Sequence, residues 1–189
     1  MTGAFFLAAI LAPVIAPYGM AEIAGDVWEP MSSKFWLGTD AIGRDLLTRM
    51  IYGGRTTIWI ATLATILAFS LGSILGFTAA VMGGGTWKIR GRVTDLSLAI
   101  PSLLFALAVL TVMPVTTTTL ILVMGFLDST RVFRLSRAVA VDITVMDYVE
   151  AARLRGEGWG WIIFREILPN ALSPLVAELG LRFIFAVLF

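Results

Sequence analysis

The 189-residue sequence contains no cysteine and no histidine. Without cysteine there is no disulfide, no thiol nucleophile and no thiolate metal site. Without histidine the commonest general base and the commonest metal ligand are missing, and with them the usual catalytic triads and zinc sites. Charged residues are scarce at 14% and balance to a net charge of +1, which leaves no electrostatic footprint for nucleic-acid binding. No G-x-x-x-x-G-K-[ST] phosphate loop occurs: Gly83-Gly84-Gly85 is followed by Thr86-Trp87-Lys88, at the wrong spacing. The chain is therefore not expected to be an enzyme. It carries no expected cofactor or metal, and any ATP chemistry behind it belongs to another chain.

Apolar residues fill the gap. They make up 58% of the sequence, with a mean hydropathy of +0.90, where soluble domains run near 45–50% apolar and about 25% charged. A helix crossing a bilayer needs about 20 mostly apolar residues. Thr57 to Met82 is the clearest such run: it carries no charge, and Gly72 and Gly76 form a G-x-x-x-G that lets helices approach closely in a membrane. Leu96 to Met113 is a further span. Pro114 and Thr116 to Thr119 mark a short turn, and Val115 to Leu127 makes the next span, with Asp128 and Arg131 near its end. Ala4 to Pro17 reads as a first span whose beginning lies outside the sequence, since no basic segment precedes it as in a signal peptide. Asn170 to Phe189 opens a last one. The expected fold is all-α, a polytopic transmembrane bundle with about five spans. Its parts are a first span at 1–17, an outer loop with an interfacial helix at 18–56, spans two to four at 57–127, a cytoplasmic loop at 128–169 and the start of the fifth span at 170–189.

Cytoplasmic loops collect Lys and Arg. Gly83 to Thr94 has Lys88, Arg90 and Arg92; Ser129 to Pro169 has Arg131, Arg134, Arg137, Arg153, Arg155 and Arg165. Both loops are therefore expected on the cytoplasmic side, with the N-terminus, and 18–56 on the outer side. Asp95 is expected to pair with Arg92 or Arg90.

The long basic loop has its own punctuation. Asp147, with Glu150 three residues on, suits a helix start. Arg153 and Arg155 suit its C-terminal end, and Gly156 the left-handed position beyond it. A second short helix is expected from Trp159 to Ile167, stopped by Pro169. Two helices around a glycine turn read equally well as a docking knob or as an amphipathic connector anchored in lipid by Trp159 and Trp161.

The residues Glu150-Ala151-Ala152, then Gly156, then Ile167-Leu168-Pro169, resemble the EAA loop of binding-protein-dependent ABC importer permeases. The fuller run from Tyr148 to Ala171 is similar to the dipeptide, oligopeptide and nickel branch of that family. The segment Phe35-Trp36-Leu37-Gly38-Thr39-Asp40-Ala41-Ile42-Gly43-Arg44-Asp45 resembles a second stretch typical of the branch. What the resemblance implies is a type I importer permease in the bacterial inner membrane, with six spans when intact. Its partners would be a second homologous permease, two cytoplasmic ATPase subunits that hold ATP and Mg, an extracytoplasmic substrate-binding protein and the lipid bilayer. Glu150, Ala151, Ala152, Arg153, Gly156, Ile167, Leu168 and Pro169 would form the ATPase-coupling site, with Ala151 and Ala152 admitting a partner closely. The cargo would be a di- or oligopeptide, with nickel, opines or glycoconjugates as lesser options.

Read from the residues alone, Asp40 can cap a helix running to about Tyr52 and ended by Gly53 and Gly54, with Leu46, Leu47, Met50 and Ile51 along one face. Gly38, Thr39, Asp40, Gly43, Arg44 and Asp45 would then form an outer-rim motif, serving either as a structural lid or as a contact for the binding protein. Glu178 and Arg182 stand four apart, the preferred order for a helical ion pair. They are a structural bridge or part of the conduit, because charge inside a membrane faces protein or water. A secondary transporter or channel without an ATPase would also explain the spans and this pair. It would leave the Glu150-to-Pro169 pattern unexplained.

Overall fold

A computed structural model describes residues 11–82 and 102–188. The start of the first span, the basic loop at 83–94, Asp95 and the first residues of the span from Leu96 lie outside them. Among the described residues the structure is helical, with one isolated antiparallel bridge between Thr39 and Asp45. The elements are α1 (Ala12–Ile15), α2 (Leu46–Met82), α3 (Ser102–Val112), α4 (Thr117–Thr144), α5 (Asp147–Leu154) and α6 (Trp159–Leu188). Two of these, α2 and α6, are long and apolar enough to cross a membrane. The chain divides into two compact units at residues 60 and 61.

The first unit is mostly irregular backbone closed by hydrogen bonds. Phe35 is fully buried, with the Tyr18 ring 5.7 Å from its own. The Thr39 hydroxyl accepts from the Glu29 N–H at 2.8 Å and donates to the Asp26 carbonyl at 2.5 Å. Asp45, and not Asp40, begins the helix: its carboxylate accepts from the Thr48 N–H at 2.8 Å, the geometry of an N-cap. Nor does that helix end at Gly53 and Gly54. It continues as α2 through 37 residues, so no separate interfacial helix forms. Two helical glycines cost roughly 1 kcal/mol each, less than breaking a hydrogen-bonded ladder that has apolar residues ready to extend it.

In the second unit α4 begins at a capping threonine: the Thr116 hydroxyl accepts from the Thr119 N–H at 3.2 Å. The helix then runs unbroken past Asp128 to Thr144, so the segment read as a loop from residue 128 is helical for most of its first half. The charges that suggested an end to the span sit on a helix face.

The later part of α2 meets α4 at the expected glycines. A Cβ at Gly72 would stand 2.6 Å from Val132 Cβ and 2.7 Å from the Ser129 carbonyl oxygen. One at Gly76 would stand 2.8 Å from the Phe133 carbonyl oxygen and from Ser136 Cβ. Between them Ser136 Oγ donates to Ser73 Oγ at 3.4 Å. The two backbones are therefore closer than any side chain at these positions allows, as the G-x-x-x-G anticipated.

The remaining helices close on this pair through one apolar cluster. It joins Phe77 and Val81 of α2, Ala140 and Ile143 of α4, Val149 and Ala152 of α5, and Ile162, Ile167, Ala171 and Leu175 of α6. Pro169 does not stop α6. Residues Ile162–Ile167 are wound as a π-helix, and the Leu168 N–H bonds to the Ile163 carbonyl, five residues back. Proline has no N–H to give to the carbonyl four residues before it. A π turn placed just ahead of it absorbs that mismatch, and the Asn170 side-chain amide donates to the Glu166 carbonyl at 2.7 Å.

Gly76→Leu should lower the stability of the detergent-solubilised protein by about 1–3 kcal/mol or more through overpacking. Gly180→Ala, where an added Cβ meets nothing within 4 Å, should be neutral or slightly stabilising. Thermal unfolding of both variants checks this; equal losses would disprove a close α2–α4 contact.

Candidate functional site

Three groups of residues carry candidate roles. The first is the helical loop of α5 and the start of α6. Met146 occupies the N-cap position of α5 and makes no side-chain capping bond, so Asp147 is not the cap. Asp147 and Glu150 instead lie in the first turn, where negative charge favours the helix N-terminus. The C-terminal end follows the expected pattern. Gly156 has φ +80°, its N–H bonds to the Arg153 carbonyl at 2.9 Å, and the Glu157 N–H reaches the Ala152 carbonyl at 3.2 Å. That bond pair closes the helix as a Schellman motif.

The loop divides its residues between two faces. Val149, Ala152 and Ile167 have 0% exposure and belong to the internal cluster. Ala152 therefore does not offer the close approach to a partner expected of it; its small side chain fits α5 against its own protein. Glu150, Ala151 and Arg153 point outward, as do Tyr148, Leu154, Trp159 and Phe164. Leu168 is half-buried and Pro169 exposed. The Arg155 guanidinium lies 5.7 Å from the Trp161 ring centroid, tying the end of α5 to the start of α6.

The second group surrounds Asp40. Its carboxylate accepts from the Ile42 N–H at 2.8 Å, the Arg44 N–H at 3.0 Å, Arg44 Nε at 3.0 Å and Arg49 Nη1 at 2.6 Å. Arg49 is the member that sequence reading missed. Gly38 and Gly43 both have positive φ, and a Cβ on either would strike the backbone carbonyl of Glu29 or Gly25. This motif orders its own loop: its Thr39, Asp40 and Asp45 side chains are spent on internal bonds. The Arg44 N–H above all, with the Ile42 N–H and the two guanidiniums, holds the Asp40 carboxyl well below the usual carboxylate range against the opposing effect of burial.

The third group lies where α4 faces α6. Arg182 Nε donates to Glu178 Oε1 at 2.6 Å, and Nη2 lies 2.5 Å from the same oxygen. The expected pair thus forms, and the structure adds two members to it. Asp128 Oδ1 stands 3.7 Å from Arg182 Nη1 and 3.7 Å from Arg131 Nη1. Charges at 128 and 131 inside an otherwise apolar stretch were the available signal; their partnership across helices was not readable. A cavity of about 350 Å³ opens beside Asp128 and Arg131, walled by Met124, Leu127 and Phe185. Among the described residues no cluster of acidic side chains suited to a metal ion occurs.

Residues 72–189 match the family model for binding-protein-dependent transport system inner membrane components. The chain is similar to the di/tripeptide transport system permease protein DppC of Pseudomonas aeruginosa, at 33% identity over 95% of this chain and 62% of that protein. It is also similar to the dipeptide transport system permease protein DppC of Escherichia coli, at 37% identity over 95% of this chain and 62% of that protein. A third relative is the oligopeptide transport system permease protein OppC of Bacillus subtilis, at 30% identity over 93% of this chain and 58% of that protein. The chain thus spans less than two thirds of the length of these relatives.

Two outcomes follow from the local geometry. Gly156→Ala should cost about 1–2 kcal/mol through its left-handed backbone alone, whereas Gly160→Ala, also in open space but inside a helix, should be neutral or stabilising; denaturant titration separates them. The Asp40 bonds should contribute fully above the unfolded carboxylate value near 3.9 and fade as the pH falls through the depressed folded value. Hydrogen exchange at the Ile42 and Arg44 amides, compared with Asp40→Asn, should show a full and constant difference above about pH 4 that shrinks as the pH falls below it.

Proposed function

The chain belongs to the family of inner membrane components of binding-protein-dependent transport systems, and on that premise we propose that the whole protein is the permease subunit of an ATP-driven peptide importer. It works beside a second homologous permease in the bacterial inner membrane as a multi-pass protein. Two cytoplasmic ATPase subunits, which hold the ATP and Mg, drive it, and an extracytoplasmic binding protein delivers a di- or oligopeptide. The names of the three relatives described above, dipeptide, di/tripeptide and oligopeptide permeases, support that choice of cargo.

The observation that carries this reading is the division of α5 into two faces. Its inner residues Val149 and Ala152 are locked into one cluster with α2, α4 and α6. Its outer residues Glu150, Ala151, Arg153 and Leu154 are exposed. A closely packed interior transmits displacement instead of absorbing it. A push on α5 therefore reaches Phe77 and Val81, Ala140 and Ile143, and Ala171 and Leu175 together, which is the mechanical requirement for alternating access driven from outside the membrane. The Schellman turn at Gly156 and the Arg155–Trp161 contact keep α5 at a fixed angle to α6, so the motion is not lost in the turn.

The full-length protein, solubilised in detergent, should retain its ATPase subunits in a pull-down. Glu150→Arg should abolish retention by reversing charge on the exposed face while lowering the melting temperature only slightly, through the lost favourable charge at the helix N-terminus, and Gly156→Asp should weaken it by straining the turn. Equal retention of wild type and Glu150→Arg would remove the loop from the coupling role, and no retention by the wild type would remove the importer reading itself.

A further inference from the structure

The α4–α6 interface holds more positive charge than it neutralises. Arg182 is committed to Glu178 through two nitrogens. Asp128 lies 3.7 Å from both Arg182 and Arg131, too far for a hydrogen bond to either. Arg131 is thus loosely engaged, with 43% of its side chain exposed. Arg134, one turn further along α4, is exposed and makes no ion pair among the described residues. Three guanidiniums therefore face two carboxylates. Charge in a membrane-spanning bundle is retained where it meets protein, water or a passing ligand.

The surplus lines a space. A groove of about 410 Å³ is bounded by Arg131, Arg134, Leu135, Ala138, Glu178 and Arg182, within the range of small-ligand sites. A second cavity, bordered by Asp128 and walled by Met124, Leu127 and Phe185, also opens beside Arg131, so this one residue borders both spaces. We propose that the groove is a subsite for the terminal carboxylate of a peptide in transit, received by the guanidiniums of Arg131 and Arg134. A guanidinium fork matches a carboxylate in plane and spacing. Every unmodified linear peptide carries that group whatever its side chains, so the contact suits a conduit that must pass many sequences. The proposal rests on the permease reading and adds to it the part of the cargo that the chain recognises.

The test uses the full-length permease assembled with its partners in phosphatidylcholine vesicles. Phenylglyoxal modification of Arg131 and Arg134 is quantified by mass spectrometry with trialanine, with trialanine amide, or with neither. Trialanine should slow modification at both residues at least threefold, and the amide should not. The Arg131→Gln/Arg134→Gln double variant should lose at least tenfold in trialanine uptake, and the Arg131→Lys/Arg134→Lys variant should recover part of it. Equal protection by acid and amide, or protection that depends on adding phosphatidylglycerol instead of peptide, overturns the subsite; the latter would make it a lipid phosphate site. Wild-type uptake with an unaffected Gln variant removes the subsite and leaves the permease reading standing. Absence of wild-type uptake together with absence of the ATPase subunits removes both.

Discussion

In the second unit the backbones of α2 and α4 approach closely, and other features of that unit follow from it. At Gly72 and Gly76 the α2 backbone lies against Ser129, Val132, Phe133 and Ser136 with no room for a methyl group. In a bilayer, apolar side chains gain little by leaving lipid for protein, so close backbone contact and interhelical hydrogen bonds do much of the work of association. Contact at positions 129, 132, 133 and 136 fixes the rotation of α4 about its axis. Residues 128, 131, 135 and 138 then share a neighbouring stripe, because three and four residues make one helical turn. That stripe is the one turned to α6, and it carries Asp128 to Arg182, with Arg131 beside Asp128.

The same contact anchors the end of the unit that carries the helical loop of α5. Phe77 and Val81 continue α2 beyond the glycines and enter the cluster that holds α5 and the π turn of α6. The small residues of the loop have distinct roles within this arrangement. Ala152 is small because it is enclosed, whereas Ala151, its neighbour, is small on an open face. Gly156 is open on all sides and is required by its backbone angle alone. Such a loop can bear load, since its inner residues are fully buried in one cluster and its turn has a single favoured geometry.

The charged residues show a gradation of commitment. Asp40 is bound on all sides and belongs to the architecture of its loop. Glu178 and Arg182 are tightly paired, while Arg131 and Arg134 retain unused bonding capacity beside open space. In a chain with 14% charged residues, groups that are costly to place and incompletely satisfied stand out as the places where an exchangeable partner fits.

The sequence by itself determined the properties that depend on composition and on short-range chemistry. The excess of apolar residues set the membrane class, and Glu150 to Pro169 carried the family resemblance that the comparisons bear out. Gly72 with Gly76 announced a close helix contact, Gly156 a left-handed turn, and the spacing of Glu178 and Arg182 an ion pair. Each of these is encoded within a few residues, where backbone angle, side-chain size or helical spacing acts directly. Only the tertiary structure decided that α2 continues through Gly53 and Gly54, that α4 continues past Asp128, and that α6 absorbs Pro169 in a π turn. It also chose Asp45 over Asp40 as a cap, turned Ala152 inward and set Asp128 between two arginines. These outcomes turn on the balance between a local preference of about 1 kcal/mol and contacts made by residues tens of positions away, and that balance exists only once the helices have met.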